Sequence, residues 1–320
     1  MRRREVLSGS FAVLLLARDR AVAEPSRIWR VAYITAGIAD RSDALDVFRE
    51  TLRGLGYEAG KNLTIYVREA KGNYSLLPDI LQEVVSLKPD VVVAVATPAI
   101  AAAQKTTSSI PIVMSPATDP IGSGFVKSFA HPGGNITGVV NVGGDLTAKT
   151  LDFLHLVLPH ATKVGVLTSD NPTHPPLFEA VKRGAETFGI SAERVVAEKP
   201  DDVEAAFKAM KSADCEAVYV LGDPIRPIIP EIANKFGLPA IYQIDYYVQI
   251  GGLMSYGPDF RAMYVRAAHY VDRILKGGNP AEIPVEQPMT FRFLVNLRTA
   301  KALGITMPES VLVQADSIIE

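Results

Sequence analysis

The sequence predicts an α/β protein built from two doubly wound parallel-sheet lobes that are joined by a multi-crossing hinge. Short apolar runs alternate with segments of helical period from residue 29 onward. This alternation restarts near residues 141–146, and the chain continues well beyond the second round, which ends near Tyr242. Alternation of strands and helices is typical of parallel sheets covered by helices on both faces.

The first lobe begins with a buried strand at 29–35 and an amphipathic helix at 43–55. The apolar run at 90–96 is continuous and β-branched, as in strands buried on both faces. The other elements expected in this half are strands at 62–68, 110–115 and 136–141 and helices at 76–87 and 98–107.

The second lobe repeats this pattern of elements without repeating its residues. Expected strands cover 162–168, 192–197, 217–221 and 239–242, and expected helices cover 147–158, 177–188, 203–211 and 228–236. The remaining elements, expected at 251–257, 260–275, 288–296 and 299–303, are too few for a third domain. The chain therefore returns to the first lobe and crosses again.

We expect the first lobe to comprise 27–142 plus 246–282 and the second lobe 143–245 plus 283–320. Two lobes joined by several crossings form a hinge, and a ligand binds between them.

The first 23 residues have the layout of a secretory signal peptide. Three arginines at positions 2–4 precede a short apolar run at 8–17, and Ala21-Val22-Ala23 fits a cleavage site near Ala23. Arg3-Arg4-Glu5 also resembles the twin-arginine export motif. We expect an exported, periplasmic protein; a cytosolic N-terminal helix is the alternative.

Charge balance and cysteine content limit what the chain can bind and how it is stabilised. Lys and Arg number 33 against 35 Asp and Glu, so no excess of positive charge indicates a nucleic acid. The single cysteine, Cys215, precludes an internal disulfide and is expected to be a buried, inert thiol. We expect a monomer without a cofactor.

Catalytic and metal-binding motifs are absent from the sequence. The five histidines form no HExxH pair, and no GxSxG, GxxxxGK[ST] or strand-linked GxGxxG occurs. We therefore expect neither a catalytic residue nor a metal site, and no enzyme activity. His174 lies in a proline-rich loop after a strand and is kept as a further candidate for the cleft.

Polar loops follow the expected strands at their carboxyl ends, where ligands bind to open parallel sheets. The candidate ligand-binding residues are Thr35, Gly37, Thr97, Ala99, Ser115, Thr118, Asp119, Asn171, Thr173, Asp223, Gln243, Asp245 and Tyr246.

These candidates suit a zwitterion such as an amino acid. The helix start at Thr97 favours a carboxylate, the side chains of Asp119, Asp223 and Asp245 would bind an ammonium group, and Tyr246 would stack on a ring. The alternative is that many of them are helix N-caps, because Ser, Thr, Asp and Asn are the preferred capping residues.

Several segments resemble a known family, the ABC transporter substrate-binding proteins that include binders of tryptophan and other aromatic amino acids. They include FRETLRGLGYEAG at 48–60 and NLRTAKALG at 296–304, and the most specific are PGGNITG at 132–138 and GGLMSYG at 251–257 in combination. The resemblance implies a type I periplasmic binding protein fold, with an ABC permease and its ATPase as partners. Members often carry an acid and an arginine where this chain has Gln243-Ile244-Asp245.

The leading hypothesis is the solute-binding component of an ABC uptake transporter for a small polar or aromatic solute. The main alternative is a ligand sensor for a membrane signalling receptor. An enzyme on this scaffold is disfavoured because no nucleophile and base pair is evident, and a cytosolic repressor core because the signal segment replaces a DNA-binding headpiece.

Overall fold

The computed structural model describes residues 27–38, 43–141, 144–223 and 226–320, so the expected signal peptide lies outside the described residues. The first half of the chain forms these elements: β1 (Trp29–Thr35), α1 (Ala44–Gly54), β2 (Leu63–Glu69), α2 (Leu77–Ser86), β3 (Val91–Val95), α3 (Thr97–Thr106), β4 (Ile112–Thr118) and β5 (Ile136–Asn141).

The second half continues with a longer series of elements. They are α4 (Gly144–Val157), β6 (Lys163–Thr168), α5 (His174–Glu186), β7 (Ser191–Val196), α6 (Val203–Ser212), β8 (Ala217–Val220), α7 (Ile229–Lys235), β9 (Ala240–Tyr242), α8 (Tyr246–Gln249), β10 (Met254–Pro258), α9 (Phe260–Leu275), β11 (Phe291–Asn296), α10 (Leu297–Ala302), α11 (Glu309–Leu312) and β12 (Ser317–Ile319).

The first lobe contains a five-stranded sheet in the order β2-β1-β3-β4-β5, and every neighbouring pair is parallel. Helices α2 and α3 pack on one face, and α1 and α9 pack on the other. The continuous apolar run of β3 follows from this arrangement, since both faces of the sheet are buried. Strand β4 is also buried along its whole length.

The second lobe contains a seven-stranded sheet in the order β12-β11-β10-β9-β8-β6-β7. All pairs are parallel except β10 with β11. Strand β10 ends at the hinge, α9 then packs in the first lobe, and β11 must begin at the hinge on the way back. That return path makes β11 antiparallel to β10.

The chain passes from one lobe to the other three times: after β5, after β10 and before β11. The lobe assignment of two segments differs from the sequence expectation. Residues 246–258 lie with the second lobe because β10 pairs there, and Ile283 and Val285 pack in the cores of the first lobe.

The two α/β lobes confirm the fold class predicted from the sequence. Each element expected between residues 29 and 303 is present with bounds that shift by at most about three residues. Helices α8 and α11 and strand β12 were not expected. Within the described residues, no helix combines the length and the hydropathy that spanning a bilayer requires.

Candidate functional site

A cavity lies between the lobes, at the carboxyl ends of strands from both sheets. The space between its walls, including the mouth that faces solvent, is about 680 Å³. Its lining residues are Tyr33, Thr35, Gly37, Ile38, Ala44, Val95, Ala96, Thr97, Pro116, Thr118, Asn141, Asn171, Gly222, Asp223, Ile244, Phe260 and Tyr264.

The wall formed by the first lobe is held by threonine side chains that bond to the backbone. Thr35 Oγ1 accepts a hydrogen bond from the Gly37 amide at 3.1 Å. Thr97 Oγ1 accepts one from the Thr118 amide, also at 3.1 Å, and so ties the start of α3 to the end of β4. Both hydroxyls therefore fix the loops of the cavity and keep only their remaining hydrogen-bonding capacity for a ligand.

The turn from β3 into α3 is strained beside this cavity. Ala96 has φ 72° and ψ 153°, a conformation that residues with a Cβ rarely adopt. Ala96 and Thr97, at the amino-terminal end of α3, both line the cavity. Such strain is often found at ligand sites.

Asn141 presents an acceptor without a partner. Asn141 lies in the cavity wall at the end of β5, and its Oδ1 is buried and receives no hydrogen bond from the described residues. A buried amide oxygen without a donor is costly. A ligand donor at this position would satisfy the oxygen.

The wall formed by the second lobe is a connected polar group. Asn171 Oδ1 accepts from the amide of Thr173 at 3.1 Å and from its hydroxyl at 2.8 Å. Asn171 Nδ2 then lies 3.5 Å from Asp223 Oδ1. The guanidinium of Arg226 lies 3.4 Å from Asp223 Oδ2 and also donates to the carbonyl oxygens of Ala197 and Glu198. The carboxylate of Asp223 is thus held in a defined orientation at the cavity.

The buried ring of His174 connects two loops of this wall. The Ser169 amide donates to His174 Nδ1 at 2.8 Å, so the ring proton sits on Nε2, which lies 3.3 Å from the Gly222 carbonyl oxygen. Burial lowers the pKa of His174, while the nearby Asp223 carboxylate opposes that shift. The neutral ring therefore bridges the loops that carry Asn171 and Asp223.

An aromatic group forms another part of the cavity: Tyr33 on β1, with Phe260 and Tyr264 on α9. Burial raises the pKa of both tyrosines well above its ordinary value, so their hydroxyls stay protonated. Aromatic and apolar walls with a few polar groups are the usual composition of a small-molecule site.

Six of the thirteen candidate residues line this cavity: Thr35, Gly37, Thr97, Thr118, Asn171 and Asp223. Asp119 and Thr173 lie instead on a more open space that shares Thr118 and Asn141 with the cavity. Ala99 packs in the apolar core of the first lobe, and Ser115 is fully buried within β4.

The three candidates after β9 lie elsewhere. Gln243 accepts from the Gly222 amide at 2.6 Å and donates to the Tyr219 hydroxyl at 3.0 Å, so both ends of its amide are occupied. Asp245 pairs with Arg292 at 3.3 Å, and burial raises its pKa although Arg292 opposes the shift. Tyr246 packs its ring against that of Tyr247.

Several lining residues were not among the candidates. Asn141 is the last residue of β5. The rule that ligands bind at the carboxyl ends of parallel strands therefore applies to it as well. Tyr33 lies inside a run that reads as buried strand, and Phe260 and Tyr264 reach the cavity only because α9 packs on the first lobe. Packing of this kind is not visible in sequence periodicity.

The described residues contain no group of three or more His, Cys, Asp or Glu side chains that could hold a metal ion. Cys215 is buried in the core of the second lobe, and burial raises the pKa of its thiol. The geometry of the cavity is suited to holding a small molecule by shape and hydrogen bonds.

Comparison with known proteins gives a consistent result. A family model described as "ABC transporter substrate binding protein" matches residues 39–319. The "Tyrosine-binding protein" of Clostridioides difficile is 27% identical over 275 residues, which cover 81% of this chain and 75% of that protein.

Two solved structures are similar over their whole length. A conserved domain protein from Vibrio cholerae has a TM-score of 0.84 and 30% identity, over 91% of this chain and 100% of that one. A domain from Streptococcus pneumoniae in complex with L-Trp has a TM-score of 0.82 and 25% identity, with the same two coverages.

Proposed function

We propose that this chain, which belongs to the family of ABC transporter substrate-binding proteins, binds an aromatic amino acid between its lobes and delivers it to a membrane permease and its ATPase. The family consists of extracytoplasmic solute-binding proteins rather than enzymes. Its members bind small molecules and act with ABC transporters.

The composition of the inter-lobe cavity is the observation that carries this proposal. Tyr33, Phe260 and Tyr264 offer apolar ring surface, whereas Asn141 and Asp223 offer acceptor oxygens. An aromatic amino acid matches both, since its ring is apolar and its ammonium group needs acceptors. The relatives that bind tyrosine and tryptophan support the same class of ligand.

The proposed orientation follows from these positions. The ring of the ligand packs among the three aromatic side chains, and its ammonium group lies toward Asp223. Its carboxylate lies at the first turn of α3, where backbone N–H groups and the helix dipole favour negative charge. Thr35, Thr97, Thr118 and Asn171 shape the polar wall around it.

A thermal-shift screen tests the proposal. The purified protein is heated with L-tryptophan, L-tyrosine and L-phenylalanine, and separately with polar amino acids, sugars and nucleosides. A ligand at a hundred times its Kd adds about 2.7 kcal/mol of stability, which raises Tm by a few degrees. A shift given only by sugars or nucleosides, or by no compound, would argue against an aromatic amino acid.

The transport role needs a test in cells. Deletion of the gene is expected to abolish high-affinity uptake of the ligand found in the screen. Intact uptake with loss of a transcriptional response to that ligand would favour the sensor. We further propose a monomer, tested by light scattering, and export with cleavage near Ala23, tested by the mass of the secreted chain.

A further inference from the structure

We propose that Tyr74 is a positioning residue that latches the two lobes together through Asp223 and so slows release of the ligand. The inference rests on the proposed binding function. It concerns a side chain that does not line the cavity and that lies in the turn between β2 and α2 of the first lobe.

The contact joins the two lobes directly. The Tyr74 hydroxyl donates to Asp223 Oδ1 at 2.5 Å, from the first lobe to the loop after β8 in the second. Burial raises the pKa of Tyr74 well above its ordinary value, so the hydroxyl keeps its proton and remains the donor. A hydrogen bond from a neutral donor to a carboxylate is among the stronger kinds in proteins.

The other partners of Asp223 come from its own lobe. Asn171 and Arg226 both belong to the second lobe and would stay beside the carboxylate if the lobes separated. The Tyr74 bond, by contrast, must break when the first lobe moves away. The bond therefore exists only while the lobes are closed.

A second contact between this turn and the second lobe also exists only while the lobes are closed. Gly72 faces the second lobe, where a Cβ at its position would lie 3.1 Å from Pro200 Cγ and 3.7 Å from Arg226 Nε. Gly72 also has φ 81°, in the region that favours glycine. The turn thus fits closely against the second lobe only because position 72 has no side chain.

Asp223 links this latch to the ligand, because the same side chain lines the cavity. The proposed function places this residue beside the ammonium group of the ligand, and its Oδ1 accepts the hydrogen bond from Tyr74. Closure of the lobes therefore adds a hydrogen bond to the residue that contacts the ligand. The lobes must break this bond before they open to release the ligand.

Replacement of Tyr74 by Phe tests the latch, since it removes only the hydroxyl. Rates of L-tryptophan binding are measured by stopped-flow fluorescence. We expect koff to rise about tenfold, the usual effect of losing a hydrogen bond to a charged group, with kon unchanged. Tyr66→Phe is the matched control, because Tyr66 lies on β2 of the same lobe and outside the cavity, and its rates should equal those of the wild type.

A second measurement needs no ligand. Spin labels at the exposed positions 82 and 208, one in each lobe, report the distance between the lobes. We expect Tyr74→Phe to shift the ligand-free protein toward longer distances than the wild type or Tyr66→Phe. Wild-type rates and wild-type distances in Tyr74→Phe would overturn the latch. Failure of the wild type to bind any compound would overturn the proposed function instead, and the distances would still decide the latch.

Discussion

At the scale of single residues, the candidate site depends on polar side chains that are held in place by hydrogen bonds and ion pairs within the protein. Asn171, His174 and Asp223 form a connected group in the second lobe, and each has a partner that fixes its direction. A site organised before the ligand arrives loses less entropy on binding. The charge state of His174 responds to pH.

The depressed pKa of His174 makes stability depend on pH. The ring stays neutral in the folded protein, while in the unfolded chain it takes up a proton below its ordinary pKa of about 6.5. The contribution of His174 is therefore fully present above that pH and is lost as the pH falls toward the folded-state pKa. We expect urea denaturation to show a lower free energy of unfolding at pH 5.5 than at pH 7.5.

His174→Gln should reduce this dependence, because glutamine does not titrate. His160→Gln is the control, since the side chain of His160 is exposed in the loop after α4. Equal pH dependence in the wild type and in His174→Gln would show that another group is responsible.

Individual site residues could be predicted only in part. The rule that ligands bind at the carboxyl ends of strands was enough to select five residues that end a strand or lie just after one: Thr35, Thr97, Thr118, Asn171 and Asp223. Gln243 also follows a strand, but both ends of its side-chain amide are hydrogen-bonded, to the Gly222 amide and to the Tyr219 hydroxyl. Tyr74 could not have been selected, because its role depends on how close the two lobes come.

At the scale of elements, the strand ends of the second lobe are brought together by close backbone packing. Gly257 on β10 lies against the segment after β9, and a Cβ there would stand 1.9 Å from the carbonyl oxygen of Gln243. Glycine within a strand often marks such an approach. The contact holds Gln243, whose side chain in turn accepts from the amide of Gly222 at the cavity.

Gly257→Ala should therefore destabilise the protein. The added methyl group forces β10 and the Gln243 segment apart, and overpacking of this kind costs about 1–3 kcal/mol. Gly54→Ala is the matched control, since nothing lies within 4 Å of a Cβ at the end of α1; it should leave stability unchanged or raise it by up to about 1 kcal/mol. Equal urea midpoints for the two variants would contradict the account of β10.

Most elements were predictable because their signals are local. Apolar periodicity located α1 and α2, a continuous β-branched run located β3, and a short apolar run located β8. The antiparallel direction of β11 was not predictable in the same way. It follows from the return of the chain through α9, which is a property of the lobe arrangement and not of the residues in β11.

At the scale of the whole molecule, the three crossings let the lobes share one cavity. Helix α9 leaves the second lobe after β10, packs on the first sheet and brings Phe260 and Tyr264 to the cavity. Tyr57 donates to Asp272 at 2.9 Å and anchors this helix to the first lobe. The sequence indicated the return to the first lobe, but the point of crossing depends on the pairing of β10, which periodicity does not specify.

The crystal structure of the protein with the aromatic amino acid that gives the largest thermal shift tests the central claim most directly. The account predicts electron density for one ligand in the inter-lobe cavity, with its ring near Tyr33, Phe260 and Tyr264 and its ammonium group within hydrogen-bonding distance of Asp223. Density for the ligand outside this cavity, or a ligand whose ammonium group points away from Asp223, would contradict it.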